Sequence, residues 1–472
     1  MKNFWKNSKK ICREEILDFS GGINTEDSIF HLKANQTPYS INTDSRLKPA
    51  LCVRPSRKII SSFYKSSFGE VKYFSVFPSG DFFTVCKNPV SGNYDFYNIS
   101  RNTMYASEES FWFPDSVYYF DRDENRQITL VSIGRGLYFY TGSYDVFAKI
   151  ENAPAVSVLA GLGGRIYGAS DFINKLYISA KDDYSNWRGD DSFEINIPGT
   201  SEKCTGLYAF RDCMLYFRKN SIFEIKEYKN QVFEASELCS GIGCISKNSI
   251  SEINGNLYFL GKNGVYIYKF GSAPKLISGK IDSFIKKYEL HSLKLLPASG
   301  SDGRRYYLSL VSKDESSSII LVYDTVGESW YFEDNPGIVN FADKGGSMYG
   351  ISFDGKLYSI CGGSDNDESA DWSWVSPPLP KGSTSAAAKQ KFFSAYVNTE
   401  LSENSSVLCS VITDCGLSLS VPLNCERENR NIIRLSVPLA HIPVSRYICI
   451  KLHGHGSCKI HSLEYSFRSV GK

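Results

Sequence analysis

One short pattern recurs along most of the chain: a Gly, Asn or Asp turn, then a run of apolar and aromatic residues, then another turn. Residues 136–140, 212–217, 255–259 and 264–268 are clear examples. Aromatic and β-branched residues bounded by turn formers are typical of strands joined by tight turns. The pattern therefore predicts β-hairpins from about residue 50 to residue 360.

The hairpins return at a nearly constant interval. One tyrosine from each unit, taken at Tyr216, Tyr258, Tyr307 and Tyr349, gives steps of 42, 49 and 42 residues. Four-stranded propeller blades repeat at roughly 40–50 residues, and blades stack around an axis because one blade cannot cover both of its faces. With earlier hairpins at 72–98, 118–149 and 165–197, the spacing predicts an all-β fold containing a six- or seven-bladed β-propeller, with seven preferred. A pair of β-sandwiches is the alternative.

Changes in composition suggest the domain organisation. A Gly/Ser/Asp stretch followed by prolines predicts a linker at 362–390. Six short strand patterns after it predict a small C-terminal antiparallel β-sandwich at 391–472. Residues 1–50 are then an N-terminal arm, and residues 51–361 are the propeller. One amphipathic helix is expected, with Ile281, Phe284, Ile285 and Tyr288 on a single face.

Charge and composition exclude several classes of protein. The chain has 53 Lys and Arg against 51 Asp and Glu, so it lacks the large positive excess expected of a protein that wraps duplex DNA. No run reaches the roughly 18 apolar residues that a membrane helix requires, and no membrane span is expected. Thirteen cysteines without a C-x-x-C pair predict free thiols in a reducing compartment.

No sequence signature of catalysis stands out. The chain has no nucleophile elbow, no phosphate-binding loop and no H-E-x-x-H pair. His453, His455, Cys458 and His461 lie close together in the sequence, but the glycines among them do not hold ligands in a fixed geometry. We therefore expect no catalytic residues, no metal, no cofactor and no enzymatic activity.

The N-terminal segment carries a set of small motifs: Gly-Gly-Ile-Asn at 21–24, asparagines at 35 and 42, and Leu-Cys-Val-Arg-Pro at 51–55. This opening resembles that of a family of tailed-bacteriophage virion proteins, the propeller components of the neck, tail tube or nozzle. Ala50 stands where the family usually has glycine. Residues 176–187, 241–246 and 323–330, and the C-terminal strands, are also similar to the family.

Glycine permits close backbone approach, and asparagine caps turns through its amide. The motif residues are therefore expected to be architectural. They are Gly21, Gly22, Asn24, Asn35, Asn42, Arg54 and Pro55.

The resemblance implies a rigid, non-enzymatic subunit of the virion, assembled in the cytoplasm of the host bacterium. It implies a homo-oligomeric ring around the DNA path, with other phage neck or tail proteins as partners. DNA would pass without tight or sequence-specific binding, as the near-neutral charge also suggests.

A carbohydrate-binding or host-adhesion propeller is the alternative function. Its support is surface tryptophans and tyrosines that could stack on sugar rings, although core or linker packing explains most of the tryptophans more economically. The tryptophans are Trp187, Trp330, Trp372 and Trp374.

Overall fold

A computed structural model describes residues 10–62, 70–105, 115–121, 126–133, 136–140, 147–170, 173–199, 202–229, 231–288, 296–312, 318–363, 369–382, 388–429 and 432–470. Strands dominate these residues, and the predicted all-β class is confirmed. Residues 1–9 of the predicted arm and parts of the predicted linker, 364–368 and 383–387, lie outside the described ranges.

Seven four-stranded antiparallel sheets account for the hairpin region, numbered here as sheets 1 to 7. Sheet 1 contains Val71–Val76, Phe82–Lys87, Tyr94–Asn98 and Thr103–Tyr105. Sheet 2 contains Asp115–Asp121, Arg126–Ile133, Gly136–Tyr140 and Phe147–Lys149. Sheet 3 contains Val158–Leu162, Arg165–Ala169, Lys175–Ile178 and Phe193–Asn196. Sheet 4 contains Gly206–Phe210, Cys213–Phe217, Ser221–Tyr228 and Val232–Ser240.

The remaining sheets follow in chain order, except for one strand. Sheet 5 contains Ser251–Ile253, Asn256–Gly261, Gly264–Tyr268 and Lys275–Leu276. Sheet 6 contains Ala298–Ser301, Arg305–Val311, Ser318–Asp324 and Ser329–Asp334. Sheet 7 contains Ile338–Lys344, Ser347–Ser352, Lys356–Ser359 and, from the N-terminal side, Lys58–Ser62. Strand Lys58–Ser62 pairs with Lys356–Ser359, so sheet 7 joins the two ends of the hairpin region.

The seven sheets form a closed circle. In five of the seven pairs of neighbouring sheets, the first strands of the two sheets lie side by side. These pairs are sheets 7 and 1, sheets 2 and 3, sheets 3 and 4, sheets 5 and 6, and sheets 6 and 7. Between sheets 1 and 2, the Tyr73 and Ser116 hydroxyls are 2.5 Å apart. Between sheets 4 and 5, the Lys247 N–H donates to the Thr205 carbonyl at 3.1 Å. Four-stranded sheets arranged radially in this way are the β-propeller architecture predicted from the repeat.

Apolar side chains are buried in seven clusters, each drawn from two neighbouring sheets. Tyr216 joins the cluster between sheets 3 and 4, Tyr258 that between sheets 5 and 6, and Tyr307 that between sheets 6 and 7. Each lies in the second strand of its sheet. The repeated aromatic residue therefore occupies the interface between sheets, which explains why the spacing follows the sheet period.

Two further sheets combine strands from both ends of the chain. The seven-stranded sheet contains Cys12–Ile16, Thr43–Asp44, Leu51–Val53, Gln390–Leu401, Asn424–Asn429, Ile432–Pro438 and Cys458–Ser469. The five-stranded sheet contains Ser40–Ile41, Asp371–Val375, Ser406–Thr413, Ser418–Val421 and Ile448–His455. One buried cluster takes residues from both sheets, including Trp374, Phe392, Ile450 and Tyr465. The two sheets therefore pack face to face.

The short elements complete the described fold. A parallel pair links Gly22–Ile23 to Gln36–Thr37. Helix α1, Asp282–Lys287, follows a 3₁₀ turn at Gly279–Ile281 and buries Ile285, which confirms the predicted helix. Further 3₁₀ turns are Ile29–His31 and Lys247–Ser249.

Candidate functional site

The two motif glycines lie where backbones approach closely. The Gly21 N–H donates to the Asn35 carbonyl at 2.9 Å, and a Cβ at Gly21 would be 2.6 Å from that oxygen. Gly22 has φ +67°, and its Cβ would be 2.7 Å from the Trp330 carbonyl of sheet 6. A side chain at either position would overlap backbone, so the pair allows the N-terminal segment to lie directly against sheet 6.

The first two motif asparagines fix the turns around this contact. The buried Asn24 side chain accepts the N–H groups of Glu26 and Asp27 and donates to the Asp27 carboxylate at 2.8 Å. The Asn35 amide donates to Asp18 at 2.9 Å. Burial opposes ionisation of Asp18, but hydrogen bonds from Ser20 and Asn35 hold the pKa of its carboxyl below the ordinary value.

Asn42 connects three parts of the fold. Its backbone has φ +58°, which asparagine tolerates better than most residues. Its N–H donates to the Phe332 carbonyl of sheet 6 at 2.8 Å, and its side-chain amide donates to the Asp371 carbonyl of the five-stranded sheet at 2.7 Å. Its side-chain oxygen accepts Arg54 Nε at 3.1 Å and the Asp334 N–H at 2.8 Å.

Arg54 and Arg57 share one carboxylate at the end of sheet 6. Arg54 Nε and Nη2 donate to Asp334 at 2.9 and 3.2 Å, and Arg57 Nη1 donates to it at 2.9 Å. Arg57 also pairs with Glu333 at 3.0 Å, and Arg54 Nη1 donates to the Pro55 carbonyl at 2.9 Å. Burial raises the pKa of the Asp334 carboxyl, but the Arg57 and Arg54 charges outweigh it and hold that pKa below its ordinary value.

We call the seven motif residues together with Arg57 and Asp334 the N-terminal junction. Both arginine side chains are 1% exposed, whereas the Asp334 side chain is 48% exposed. Sequence reasoning selected the seven motif residues. Of these, the structure places Gly22, Asn42 and Arg54 against sheet 6, whereas Asn24 and Asn35 hold turns within the N-terminal segment. Sequence reasoning missed Asp334 and Arg57, since nothing local in the sequence signals a pairing across 280 or 277 residues.

A second polar cluster crosses the axis of the circle. Lys247 Nζ lies 2.5 Å from the Asp115 carboxylate of sheet 2 and 2.6 Å from the Leu159 carbonyl of sheet 3. The same carboxylate accepts the Leu159 N–H at 2.6 Å. Lys247 precedes the first strand of sheet 5, so the ion pair spans the axis at the end where the inner strands begin.

The tryptophans that supported carbohydrate binding are buried. Trp187, Trp330, Trp372 and Trp374 are 4%, 1%, 2% and 2% exposed. The Trp330 indole N–H donates to the Ile277 carbonyl at 2.9 Å, and that of Trp187 donates to the Tyr184 carbonyl at 2.8 Å. Rings in these positions pack against protein and present no face to a sugar, so these four tryptophans do not support the carbohydrate-binding alternative.

The histidine and cysteine cluster is divided between two sheets. His453 and His455 lie in the five-stranded sheet, whereas Cys458 and His461 lie in the seven-stranded sheet, where His461 contacts Glu400 at 2.6 Å. Within the described ranges, no group of three or more His, Cys, Asp or Glu is placed to hold a metal ion. Twelve cysteines have described side chains, and all twelve are free thiols. Among the described elements, no helix has the length and apolar character needed to cross a membrane.

No protein-family model and no curated protein matches the chain. Distant likenesses exist among solved structures. BamB from Moraxella catarrhalis is 10% identical, with coverage of 70% of this chain and 98% of that chain and a TM-score of 0.41. Dihydro-heme d1 dehydrogenase NirN in complex with DHE is 12% identical, with coverage of 81% and 78% and a TM-score of 0.39. The N-terminal domain of Nup159 is 11% identical, with coverage of 65% and 94% and a TM-score of 0.36. At these values the likenesses carry no conclusion about function.

Proposed function

We propose that the chain is a structural component of a tailed-bacteriophage particle, located in the neck, tail tube or nozzle. In this proposal each four-stranded sheet is one blade of a seven-bladed propeller. The two larger sheets, which combine C-terminal strands with short N-terminal ones, are the β-sandwich. Several copies form a ring around the DNA path with other neck or tail proteins, and assembly takes place in the host cytoplasm. The role is mechanical, and no enzymatic step is assigned to it.

The observation that supports this proposal is the N-terminal junction. Three of the residues that carry the resemblance to virion proteins, Gly22, Asn42 and Arg54, contact sheet 6, and Asn42 also contacts the five-stranded sheet. Two buried arginines, one shared carboxylate and a buried asparagine make these connections with fixed directions. A rigid connection between the circle of sheets and the two larger sheets is what a ring subunit under mechanical force needs.

The axial ion pair bears on where DNA would pass. Lys247 and Asp115 connect elements on opposite sides of the circle of sheets. In this proposal DNA passes between subunits and not through one propeller. The proposal therefore needs a ring of several copies and not a single encircling subunit.

The test uses particles from a bacterial strain that encodes the chain. Antibodies against the full-length protein should label the neck or tail of purified particles in immunogold electron microscopy. Mass spectrometry of the same particles should give a fixed copy number greater than one. Absence of the chain from intact, infectious particles refutes the proposal. An antibody to the major capsid protein serves as the positive control for labelling.

A further inference from the structure

Three side chains on the outside of the five-stranded sheet form one hydrogen-bonded chain. The Ser369 hydroxyl lies 2.6 Å from His455 Nε2. On the other side of the ring, His455 Nδ1 lies 2.8 Å from the Asp371 carboxylate. With the proton on Nδ1, that nitrogen donates to Asp371 and Nε2 accepts from Ser369. This order of hydroxyl, imidazole and carboxylate is the one that activates a serine nucleophile.

Strand pairing sets this geometry. Asp371 and His455 are directly opposite each other in neighbouring antiparallel strands, so their side chains share a face. Ser369 precedes Asp371 by two residues, and the Gly456 N–H holds the intervening residue by donating to the Ala370 carbonyl at 3.1 Å. A Cβ at Gly454 would be only 1.9 Å from the Ser406 carbonyl, so the strands meet here because residue 454 is glycine.

The cluster is open to solvent. The His455 side chain is 49% exposed and the Asp371 side chain is 91% exposed. Both ring nitrogens of His455 are nonetheless engaged, one by the base-orienting carboxylate and one by the hydroxyl. Because these side chains are exposed, the substrate must be a group that can reach Ser369 from solvent without being held in a pocket. Small acyl esters, free or displayed on a surface polymer, meet that condition.

We propose that Ser369 is a nucleophile for exposed acyl esters, with His455 as its general base and Asp371 as the positioning residue. Ser369 Oγ bonds to the ester carbonyl carbon as its proton passes to His455 Nε2. The ester C–O bond then breaks, and the alcohol leaves with that proton. Water next gives its proton to His455 and adds to the acyl carbon, and Ser369 Oγ departs as it recovers the proton. The products are one alcohol and one carboxylic acid.

The expected rate is modest. A positioned general base contributes about 10²–10⁴-fold. Donors that stabilise the oxyanion supply a further factor of about 10²–10³ in developed hydrolases. We assign no such donors here, and expect an acceleration of about 10²-fold over buffer. The inference does not depend on the proposed virion role, since ester reactivity and presence in particles are measured separately.

The first test is covalent labelling of the full-length protein with a fluorophosphonate probe. We expect one label per chain, mapped to Ser369 by peptide mass spectrometry and lost in Ser369→Ala and His455→Ala. The control is Ser406→Ala. Ser406 lies opposite His455 in the strand on the other side, and its hydroxyl accepts the His455 backbone N–H at 3.2 Å without contacting the ring nitrogens. That variant should label like the wild type. Labelling that persists in Ser369→Ala, or no labelling above heat-denatured protein, overturns the proposal.

The second test separates positioning from folding. With p-nitrophenyl acetate as substrate, we expect Asp371→Asn to lower kcat about tenfold and leave KM unchanged, because in the proposed mechanism Asp371 acts only by orienting the His455 ring. Thermal unfolding of all variants should match the wild type within error. A fall in thermal stability with no change in kcat would show that the three residues only stabilise the pairing of their strands, and it would refute a reactive role.

Discussion

Replacing Asp334 by Asn removes the carboxylate that the two buried arginines of the N-terminal junction share. Three contacts of 2.9, 2.9 and 3.2 Å are weakened, and both guanidinium groups lose a charge partner. Removing one partner of a buried ion pair costs about 3–5 kcal/mol. Asp334 is 48% exposed, and Arg57 keeps Glu333. We therefore expect a loss of about 2 kcal/mol in the free energy of unfolding.

Urea unfolding followed by tryptophan fluorescence measures this loss, since Trp330, Trp372 and Trp374 are buried in the parts that the junction connects. The matched control is Glu194→Gln, which breaks a 2.9 Å ion pair with Lys175 whose side chains are 48% and 41% exposed. Exposed pairs contribute about 0–1 kcal/mol. If Asp334→Asn costs no more than Glu194→Gln, the junction does not stabilise the fold and the reasoning is wrong.

The same variant has a pH signature. The pKa of Asp334 is lower in the folded chain than its ordinary value of 3.8, so its contribution is present above that value and is lost as the pH falls through the folded pKa. The difference in unfolding free energy between the wild type and Asp334→Asn should stay constant from about pH 7 to pH 5 and narrow below about pH 4. If the difference in unfolding free energy widened below pH 4, the Asp334 carboxylate would not stabilise the fold in its charged form and the reasoning would be wrong.

Three further outcomes are expected. Gly22→Ala should destabilise the fold by about 2 kcal/mol more than Gly163→Ala, because both have positive φ but only Gly22 faces a backbone carbonyl; equal urea midpoints would contradict this. Cys415 should react first with limiting iodoacetamide at pH 7.5, since hydrogen bonds lower the pKa of its exposed thiol; peptide mass spectrometry showing another described cysteine modified first would refute it. Lys247→Met should lower the melting temperature by leaving Asp115 unpaired at the axis, and an unchanged melting temperature in differential scanning fluorimetry would show that the axial pair contributes nothing.

The repeated hairpins were predictable because their signals are local. Turn residues, strand propensity and the return of a tyrosine every 42 to 49 residues are all visible in short windows. The circle follows from them because each aromatic residue needs a neighbouring sheet to bury it. The six strands predicted after residue 390 are also present, together with a seventh, Asn424–Asn429, that was not predicted.

Long-range pairings were not predictable from those windows. The strand Lys58–Ser62 completes sheet 7 by pairing with residues 356–359. Residues 371–375, within the stretch predicted as a linker, form a strand that pairs with Ile448–His455. Neither pairing leaves a local signal, since an edge strand has the same composition whichever partner it finds. Asp334 and the Ser369–His455–Asp371 chain escaped notice for the same reason.

The pairing of Cys12–Ile16 with the last strand has a consequence for synthesis on the ribosome. Tyr465 donates a hydrogen bond to Glu14, which was translated 451 residues earlier. At a typical rate of elongation on the ribosome, that interval lasts roughly 20 to 90 s. During this time the strand Cys12–Ile16 lacks Cys458–Ser469, the strand with which it pairs, so its edge is open to chaperones, proteases or other nascent chains. Any premature stop near the end of the message would leave it exposed permanently, and truncated products should be cleared while completed ones persist.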